Sequence, residues 1–147
     1  MTLPRFQATP DGSATPAMQA AYARDGFLVI EGFKSPEECD ALRRRTHELV
    51  EAFDPATVTS IFEAGGQQRH AADRYFQESG DEIRFFFEKG AFDQAGRLVK
   101  DKHAAMNKIG HAMHDLDPVF DRFSRDPRLA NLARSIGLRI PGSCSRW

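Results

Sequence analysis

Residues 83–93, IRFFFEKGAFD, are the stretch that decides how this 147-residue chain folds. The apolar run is short and ends at Lys89 and Gly90, a pair typical of a turn, so it predicts a strand followed by a reversal of the chain. We expect this strand to pair with residues 97–99. We interpret the three consecutive phenylalanines, residues 85–87, as the core of a sheet rather than as a platform for stacked nucleic-acid bases.

Ser35 marks the clearest helix start in the sequence. Pro36 follows at the first helical position, and Glu38 stands three residues after Ser35, which is the spacing of a capping box. In this motif each of the two side chains accepts a hydrogen bond from the backbone N–H of the other residue. We therefore predict a helix over residues 36–53.

The other elements are predicted from apolar periodicity and from the positions of proline and glycine. An apolar run between two glycines, residues 27–33, predicts a buried strand. Further helices are predicted over residues 15–25, 71–79, 103–115 and 118–136, and the last range contains two helix starts, at Pro118 and at Pro127, each preceded by an aspartate. Residues 1–13 are rich in turn-forming residues and predict a flexible tail. Together these elements predict a helix-rich α+β fold.

Composition excludes several classes of protein. The chain has 20 Lys and Arg against 21 Asp and Glu, a net charge of −1 that argues against a nucleic-acid binder or a polybasic membrane surface. No apolar run approaches the ~18 residues of a membrane span, and the first residues lack the pattern of a secretory signal. Two cysteines, Cys39 and Cys144, cannot form a disulfide framework, so we expect a cytoplasmic protein.

Few residues offer chemistry of their own. His111 and His114 stand three apart on a predicted helix and could hold a metal together with Asp115 or Asp117, but no further histidine or cysteine pair converges on them. We interpret both as histidines of a helix surface and predict no metal ligand. Cys39 falls on the predicted apolar stripe of its helix and is interpreted as an inert core thiol.

Lys108 is the most interesting polar residue. It lies in the segment NKIGHAMH, residues 107–114, which we predict to be helical, with small and apolar neighbours. A lysine beside such a face can hold a small carboxylate as a point charge. It can equally extend its ammonium group into solvent while its stem covers apolar surface, and the spacing alone leaves both interpretations open.

Four blocks of the sequence together resemble the N-terminal region of the phytanoyl-CoA dioxygenase family, over about residues 20–141. The blocks are RDGFLVIEGFKSPEECDALRRR, YFQESGDEIRFFFEKGAFD, NKIGHAMHDLDPVF and LARSIGLRIP. The resemblance implies an Fe(II)- and 2-oxoglutarate-dependent dioxygenase with a double-stranded β-helix, or jelly roll, that hydroxylates a small organic or acyl substrate. It also implies that iron is held by His-x-Asp and a distant second histidine. In relatives the lysine of the NKIGHA block contacts 2-oxoglutarate, so the resemblance implies that Lys108 binds this cosubstrate.

The sequence departs from the family pattern in one respect. Neither His-x-Asp nor His-x-Glu occurs in it, and His114 is followed directly by Asp115. We therefore expect residues 14–141 to be the N-terminal part of the oxygenase domain, truncated before the iron triad, without most of the jelly roll and inactive alone. On this view Fe(II) and 2-oxoglutarate belong to the full-length family, and this chain contains no catalytic residue and binds neither of them.

Residues 142–147, GSCSRW, do not resemble the family. Codons that can encode them, read from the third base, give Val-Leu-Gln-Ser-Met, which matches the strand found there in relatives. We hypothesise that this tail is frameshifted. The alternative function is a non-catalytic, helix-rich remnant or interaction module. We expect a small-molecule substrate in the family, no nucleic-acid or membrane partner, and self-association through exposed strands.

Overall fold

The computed structural model describes residues 4–62 and 74–138. They belong to two units, one built from residues 4–40 and 122–138 and the other from residues 41–62 and 74–121. Helices and two small sheets alternate along the chain, which confirms the predicted α+β class. In chain order the elements are β1 (Arg5–Gln7), α1 (Pro16–Asp25), β2 (Val29–Glu31), α2 (Pro36–Ala52), a 3₁₀ turn (Pro55–Thr57), α3 (Arg74–Gln77), β3 (Ile83–Phe87), α4 (Lys102–Ala105), β4 (Met106–His111), α5 (Met113–Leu116), α6 (Pro118–Ser124) and α7 (Pro127–Ser135).

The sheet of the second unit is formed by β3 and β4. The two strands are antiparallel, with Phe85 opposite Ile109 and Phe86 opposite Lys108. The predicted strand is thus present, and its first part, residues 83–87, pairs with β4 rather than with the predicted residues 97–99. The end of the stretch does meet residues 97–99: Leu98 bridges Phe92 in antiparallel fashion, and the backbone N–H of Val99 donates to the Ala91 carbonyl at 2.9 Å.

The prediction of a helix over residues 103–115 is also wrong, because this segment contains α4, β4 and α5 in succession. The apolar spacing of Met106, Ile109 and Met113 suits a helix. However, the backbone N–H and C=O groups of β3 need partners when its phenylalanines are buried, and β4 supplies them. The pairing of two segments distant in sequence therefore overrides the local preference for a helix.

The phenylalanine triplet forms the centre of the second unit, as predicted. Phe86 and Phe87 are 0% exposed and Phe85 is 8% exposed. Successive side chains of a strand point to opposite faces, and the contacts follow that rule. Phe85 stacks on Phe53 with ring centroids 4.2 Å apart, whereas Phe86 packs edge-on against Phe76 at 5.6 Å. Both faces of β3 are thus covered by aromatic rings.

The capping box at the start of α2 is confirmed. The backbone N–H of Glu38 donates to the Ser35 hydroxyl at 3.2 Å, and the backbone N–H of Ser35 donates to the Glu38 carboxylate at 2.8 Å. Helix α2 ends at Ala52, one residue before the predicted end. The motif predicts this helix well because both of its hydrogen bonds lie within one turn of the chain.

A buried carboxylate joins α2 to the start of α6 within the second unit. Asp117 is 3% exposed and accepts a hydrogen bond from Arg45 Nε at 2.6 Å and another from the backbone N–H of Val119 at 2.9 Å. Burial favours the neutral acid, but these hydrogen bonds outweigh it and lower the pKa of Asp117. The ion pair fixes the side chain of Arg45 against the start of α6.

The first unit contains a parallel pair, β1 beside β2, with Phe6 opposite Ile30. Arg5 Nη1 donates to the Glu31 carboxylate at 2.7 Å, and the backbone N–H of Ala8 donates to the Glu31 carbonyl at 2.9 Å. Part of the segment predicted to be a flexible tail is therefore a strand. Its composition is typical of a loop, but its partner lies too far along the chain to leave a local signal.

Helices α1 and α7 of the first unit begin at capping residues. Thr15 Oγ1 accepts from the backbone N–H of Met18 at 3.3 Å at the start of α1, as the threonine–proline pair predicts. Asp126 Oδ1 accepts from the backbone N–H of Arg128 at 2.9 Å at the start of α7. Residues 118–136 therefore form two helices, α6 and α7, because Asp126 and Pro127 begin a new one.

The other predictions have mixed outcomes. Helix α3 lies inside the predicted helix 71–79, whose first three residues are outside the described part of the chain. The boundary at residue 141 and the tail hypothesis for residues 142–147 also lie outside it. Cys39 is only half-buried. Among the helices of the described residues, none combines the length and apolar character that a membrane crossing requires.

Candidate functional site: a lysine cation beside a histidine

Lys108 lies near the middle of β4, on a strand rather than on the predicted helix. Its ammonium nitrogen is 4.6 Å from the centre of the Phe62 ring, 5.5 Å from that of Phe76 and 6.0 Å from that of Phe86. Gly110 is buried two residues along the strand, and a Cβ there would be 3.4 Å from Lys108 Cε. The lysine stem therefore passes over a glycine to reach an aromatic surround.

A chain of hydrogen bonds extends from this ammonium group. Lys108 Nζ lies 2.7 Å from His111 Nε2, and His111 Nδ1 lies 2.8 Å from Ser79 Oγ. Ser79 is completely buried, and its hydroxyl donates to the Phe76 carbonyl at 2.5 Å. An ammonium group can only donate, so Nε2 of the imidazole accepts and Nδ1 carries the proton. The residues Lys108, His111 and Ser79 are called the lysine relay below.

The electrostatics of the lysine relay agree with a hydrogen bond donated by Lys108 and accepted by His111 Nε2. Burial, together with the positive charge of Lys108, lowers the pKa of the His111 imidazole below its ordinary value of 6.5. The imidazole is therefore neutral near pH 7 and keeps a lone pair for the ammonium group. Protonation of His111 would remove that acceptor and place two cations side by side.

The charge of Lys108 is not balanced by any carboxylate within residues 4–62 and 74–138; its contacts there are aromatic rings and one imidazole. Two other lysines of comparable burial differ in this respect. Lys34 is bonded to Asp126 at 2.8 Å, and Lys102 lies 3.7 Å from Glu51. Aromatic faces stabilise a cation without neutralising it. A half-buried ammonium group of this kind can bind an incoming carboxylate.

Lys108 also lines a pocket of about 410 Å³ in the second unit. The His47 and His103 rings lie in its wall with centroids 4.8 Å apart, and His103 Nε2 is bonded to Glu51 at 2.5 Å. The remaining lining residues are largely apolar: Thr46, Val50, Met106, Asn107, Ile109, Met113 and Phe120. The residues that surround the Lys108 ammonium group, namely Phe62, Phe76, Phe86 and His111, are not part of this lining.

The histidine pair singled out in the sequence is divided between two elements. His111 ends β4 and is engaged in the lysine relay, whereas His114 lies in α5 with its side chain 49% exposed and 3.4 Å from Asp115. In the described part of the chain, no three side chains of His, Cys, Asp or Glu are placed to hold one metal ion. The described residues therefore do not fit an iron centre.

Sequence reasoning singles out Lys108 but misses both of its partners. Reading residues 106–111 as a strand would have placed Lys108 and Gly110 on one face, which is the one local signal available. No sequence pattern near Ser79 predicts its hydrogen bond to His111, because this contact depends on the pairing of β3 with β4.

The fold and this site define a small α+β unit that presents a lysine cation in an aromatic surround. Residues 22–142 match the family model of phytanoyl-CoA dioxygenase (PhyH), and the chain belongs to this family. This confirms the resemblance seen in the sequence.

Three curated relatives illustrate the similarity. The chain is 43% identical over 130 residues to a phytanoyl-CoA dioxygenase of Arabidopsis thaliana, covering 88% of this chain and 45% of the relative. It is 42% identical over 131 residues to phytanoyl-CoA dioxygenase domain-containing protein 1 of Bos taurus, covering 86% and 45%. For the protein of that name in Danio rerio the identity is 44% over 121 residues, covering 80% and 42%. The chain thus spans less than half the length of these relatives.

Proposed function

We propose that this chain is the cosubstrate-binding, N-terminal part of an Fe(II)- and 2-oxoglutarate-dependent dioxygenase that hydroxylates a small organic or acyl substrate. Its specific role is to bind a carboxylate of 2-oxoglutarate through Lys108. The observation that carries this proposal is the half-buried Lys108 ammonium group, which has no carboxylate partner in the described residues. Membership of the phytanoyl-CoA dioxygenase family supports it.

The chemistry of the site favours a carboxylate over other ligands. One N–H of the ammonium group points at His111 Nε2, which leaves two N–H groups for an incoming anion. A hydrogen bond between charged groups contributes about 1.5–3 kcal/mol when the surroundings are partly dry. The Phe62 ring, 4.6 Å from Nζ, helps to exclude water from this side of the ammonium group.

The iron ligands of the proposed dioxygenase are not assigned to the described residues. Within the described residues no set of three ligands is available, and the sequence contains no His-x-Asp pair. We therefore propose that the iron ligands of the whole dioxygenase come from residues other than those described here, and we assign no chemical step to them. For the 147-residue chain this proposal predicts binding of the cosubstrate without turnover.

The test is titration of the purified chain with 2-oxoglutarate, followed by NMR or calorimetry. Lys108→Met keeps the length of the side chain and removes its charge. We expect the affinity to fall about tenfold, equivalent to ~1.4 kcal/mol. Lys102→Met is the matched control, because this lysine is bonded to Glu51 and to backbone carbonyls and does not line the pocket. Equal affinities for the wild-type chain and Lys108→Met would contradict the proposal.

A further inference from the structure

We infer that His111 and Ser79 are positioning residues that aim the Lys108 ammonium group and thereby set the affinity of the site for a carboxylate. This inference rests on the proposed function, and it concerns two residues to which the comparisons give no role. Neither residue has to touch the ligand for the inference to hold, because both act through Lys108.

The direction of the hydrogen bonds in the lysine relay leaves one consistent arrangement. The Ser79 hydroxyl proton is committed to the Phe76 carbonyl at 2.5 Å, so Ser79 Oγ can only accept from the imidazole. His111 Nδ1 must then carry the ring proton, which leaves the lone pair of Nε2 directed at Lys108 Nζ, 2.7 Å away. A buried serine thus selects the histidine tautomer that the lysine needs.

The imidazole ring is also held mechanically. The backbone N–H of His111 donates to the Glu82 carbonyl at 2.9 Å, which fixes the end of β4. The ring meets the Phe76 ring edge-on, with centroids 5.6 Å apart and an interplanar angle of 84°, and lies 6.1 Å from the Phe86 ring. Rotation of the imidazole would break the bond to Ser79 and disturb these aromatic contacts together.

A fixed imidazole matters because lysine is flexible. Its stem of four methylene groups has many rotamers, and Gly110 beneath the stem has no side chain that could pack against it. The hydrogen bond to His111 selects the rotamer that leaves two N–H groups free to meet a carboxylate. Without it, a ligand would have to order the lysine as it binds, which lowers affinity.

Within residues 4–62 and 74–138, the charged side chain that contacts the imidazole is Lys108, and neighbouring carboxylates are engaged elsewhere. On the neighbouring elements, Glu78 is paired with Arg74 at 2.6 Å and Glu82 with Arg84 at 2.7 Å. The acceptor strength of Nε2 is therefore governed by Ser79 on one side and by Lys108 on the other.

The first test reads the tautomer directly in the ligand-free chain. The ¹⁵N chemical shifts of a histidine ring distinguish a protonated from an unprotonated nitrogen. We expect His111 Nδ1 to be protonated and Nε2 unprotonated near neutral pH, and we expect Ser79→Ala to produce a mixture of tautomers. A protonated Nε2 in the wild-type chain would overturn the inference, whether or not 2-oxoglutarate binds.

The second test measures 2-oxoglutarate affinity in three variants. His111→Phe keeps a ring for packing but removes the acceptor, and it should weaken binding about three- to tenfold, the range expected for one hydrogen bond. Ser79→Ala should weaken binding less. His111→Gln supplies an amide oxygen and should restore most of the affinity, which a purely structural role of the ring would not produce. His114→Phe, at an exposed position, is the matched control.

The two proposals fail in different ways. If Lys108→Met abolishes binding while His111→Phe binds like the wild-type chain, the positioning role is wrong and the cosubstrate site stands. If Lys108→Met binds 2-oxoglutarate like the wild-type chain, the proposal that Lys108 binds the cosubstrate is wrong. The tautomer measurement then tests only the hydrogen bonds among Ser79, His111 and Lys108. A thermal melt of each variant verifies that an altered affinity does not reflect unfolding.

Discussion

Asp126 joins two cations and a helix start through a single carboxylate. It accepts hydrogen bonds from Arg128 Nη2 at 2.7 Å and from Lys34 Nζ at 2.8 Å, while it caps α7. Bonding to Arg128, and then to Lys34, holds the pKa of this carboxyl far below its ordinary value of 3.8. The Lys34 side chain is only 12% exposed, and its ammonium group also donates to the Glu38 carboxylate at 3.2 Å.

This arrangement predicts an acid-sensitive contribution to stability. Because the folded-state pKa of Asp126 is lowered, its carboxylate stabilises the native chain above pH 3.8, and the contribution is lost as the pH falls below that value. Asp126→Asn keeps an oxygen for the cap and removes the charge. We expect it to lower the free energy of unfolding in urea by about 1–2 kcal/mol near pH 7. Its acid dependence should be shallower than that of the wild-type chain; parallel profiles would refute the assignment.

His111 is a base rather than an acid, and its folded-state pKa is also lowered. The unfolded chain binds a proton near pH 6.5 and the folded chain only at lower pH, so stability should decline as the pH falls below 6.5. His111→Gln should flatten this part of the profile, measured by urea unfolding at a series of pH values. His114→Gln, at an exposed site, is the matched control. The same slope in His111→Gln and the wild-type chain would exclude this role.

The capping box of α2 predicts the cost of losing one helix start. Ser35→Ala removes the hydroxyl that accepts from Glu38 N–H at 3.2 Å and should lower the free energy of unfolding by about 0.5–2 kcal/mol. Ser124→Ala, at an exposed position in α6, is the control. Thermal and urea unfolding measure both variants. An unchanged midpoint for Ser35→Ala would mean that the box contributes nothing to the stability of the folded chain.

Elements whose signals are local were predicted well, and elements made by distant pairing were not. Helices α1 and α2 follow from a capping residue and a proline within four positions. Strand β4 was predicted as a helix because its register with β3 depends on residues far away along the chain. The same holds for the site. Lys108 was singled out from the sequence of its own segment, whereas the contact of Ser79 with His111 exists only in the folded chain.

Among the described residues each of the two small sheets has two strands, and beyond them β3 makes one isolated bridge, from Phe87 to Ile61. Unpaired edges favour association between copies. We expect the chain to elute at a larger apparent size as its concentration rises in size-exclusion chromatography with light scattering. Asn107→Lys, which adds a charge to an exposed position of β4, should reduce this tendency. A monomer at all concentrations would contradict the expectation.

The division of the chain into units has a consequence for biosynthesis. The described part of the second unit comprises residues 41–62 and 74–121, whereas the first unit needs residues 122–138 as well as residues 4–40. Domains usually fold in the order in which they leave the ribosome. Lys34 therefore leaves the ribosome 92 residues before Asp126, its partner at 2.8 Å. The first unit therefore cannot be completed until residues 122–138 have been translated, after the second unit has left the ribosome.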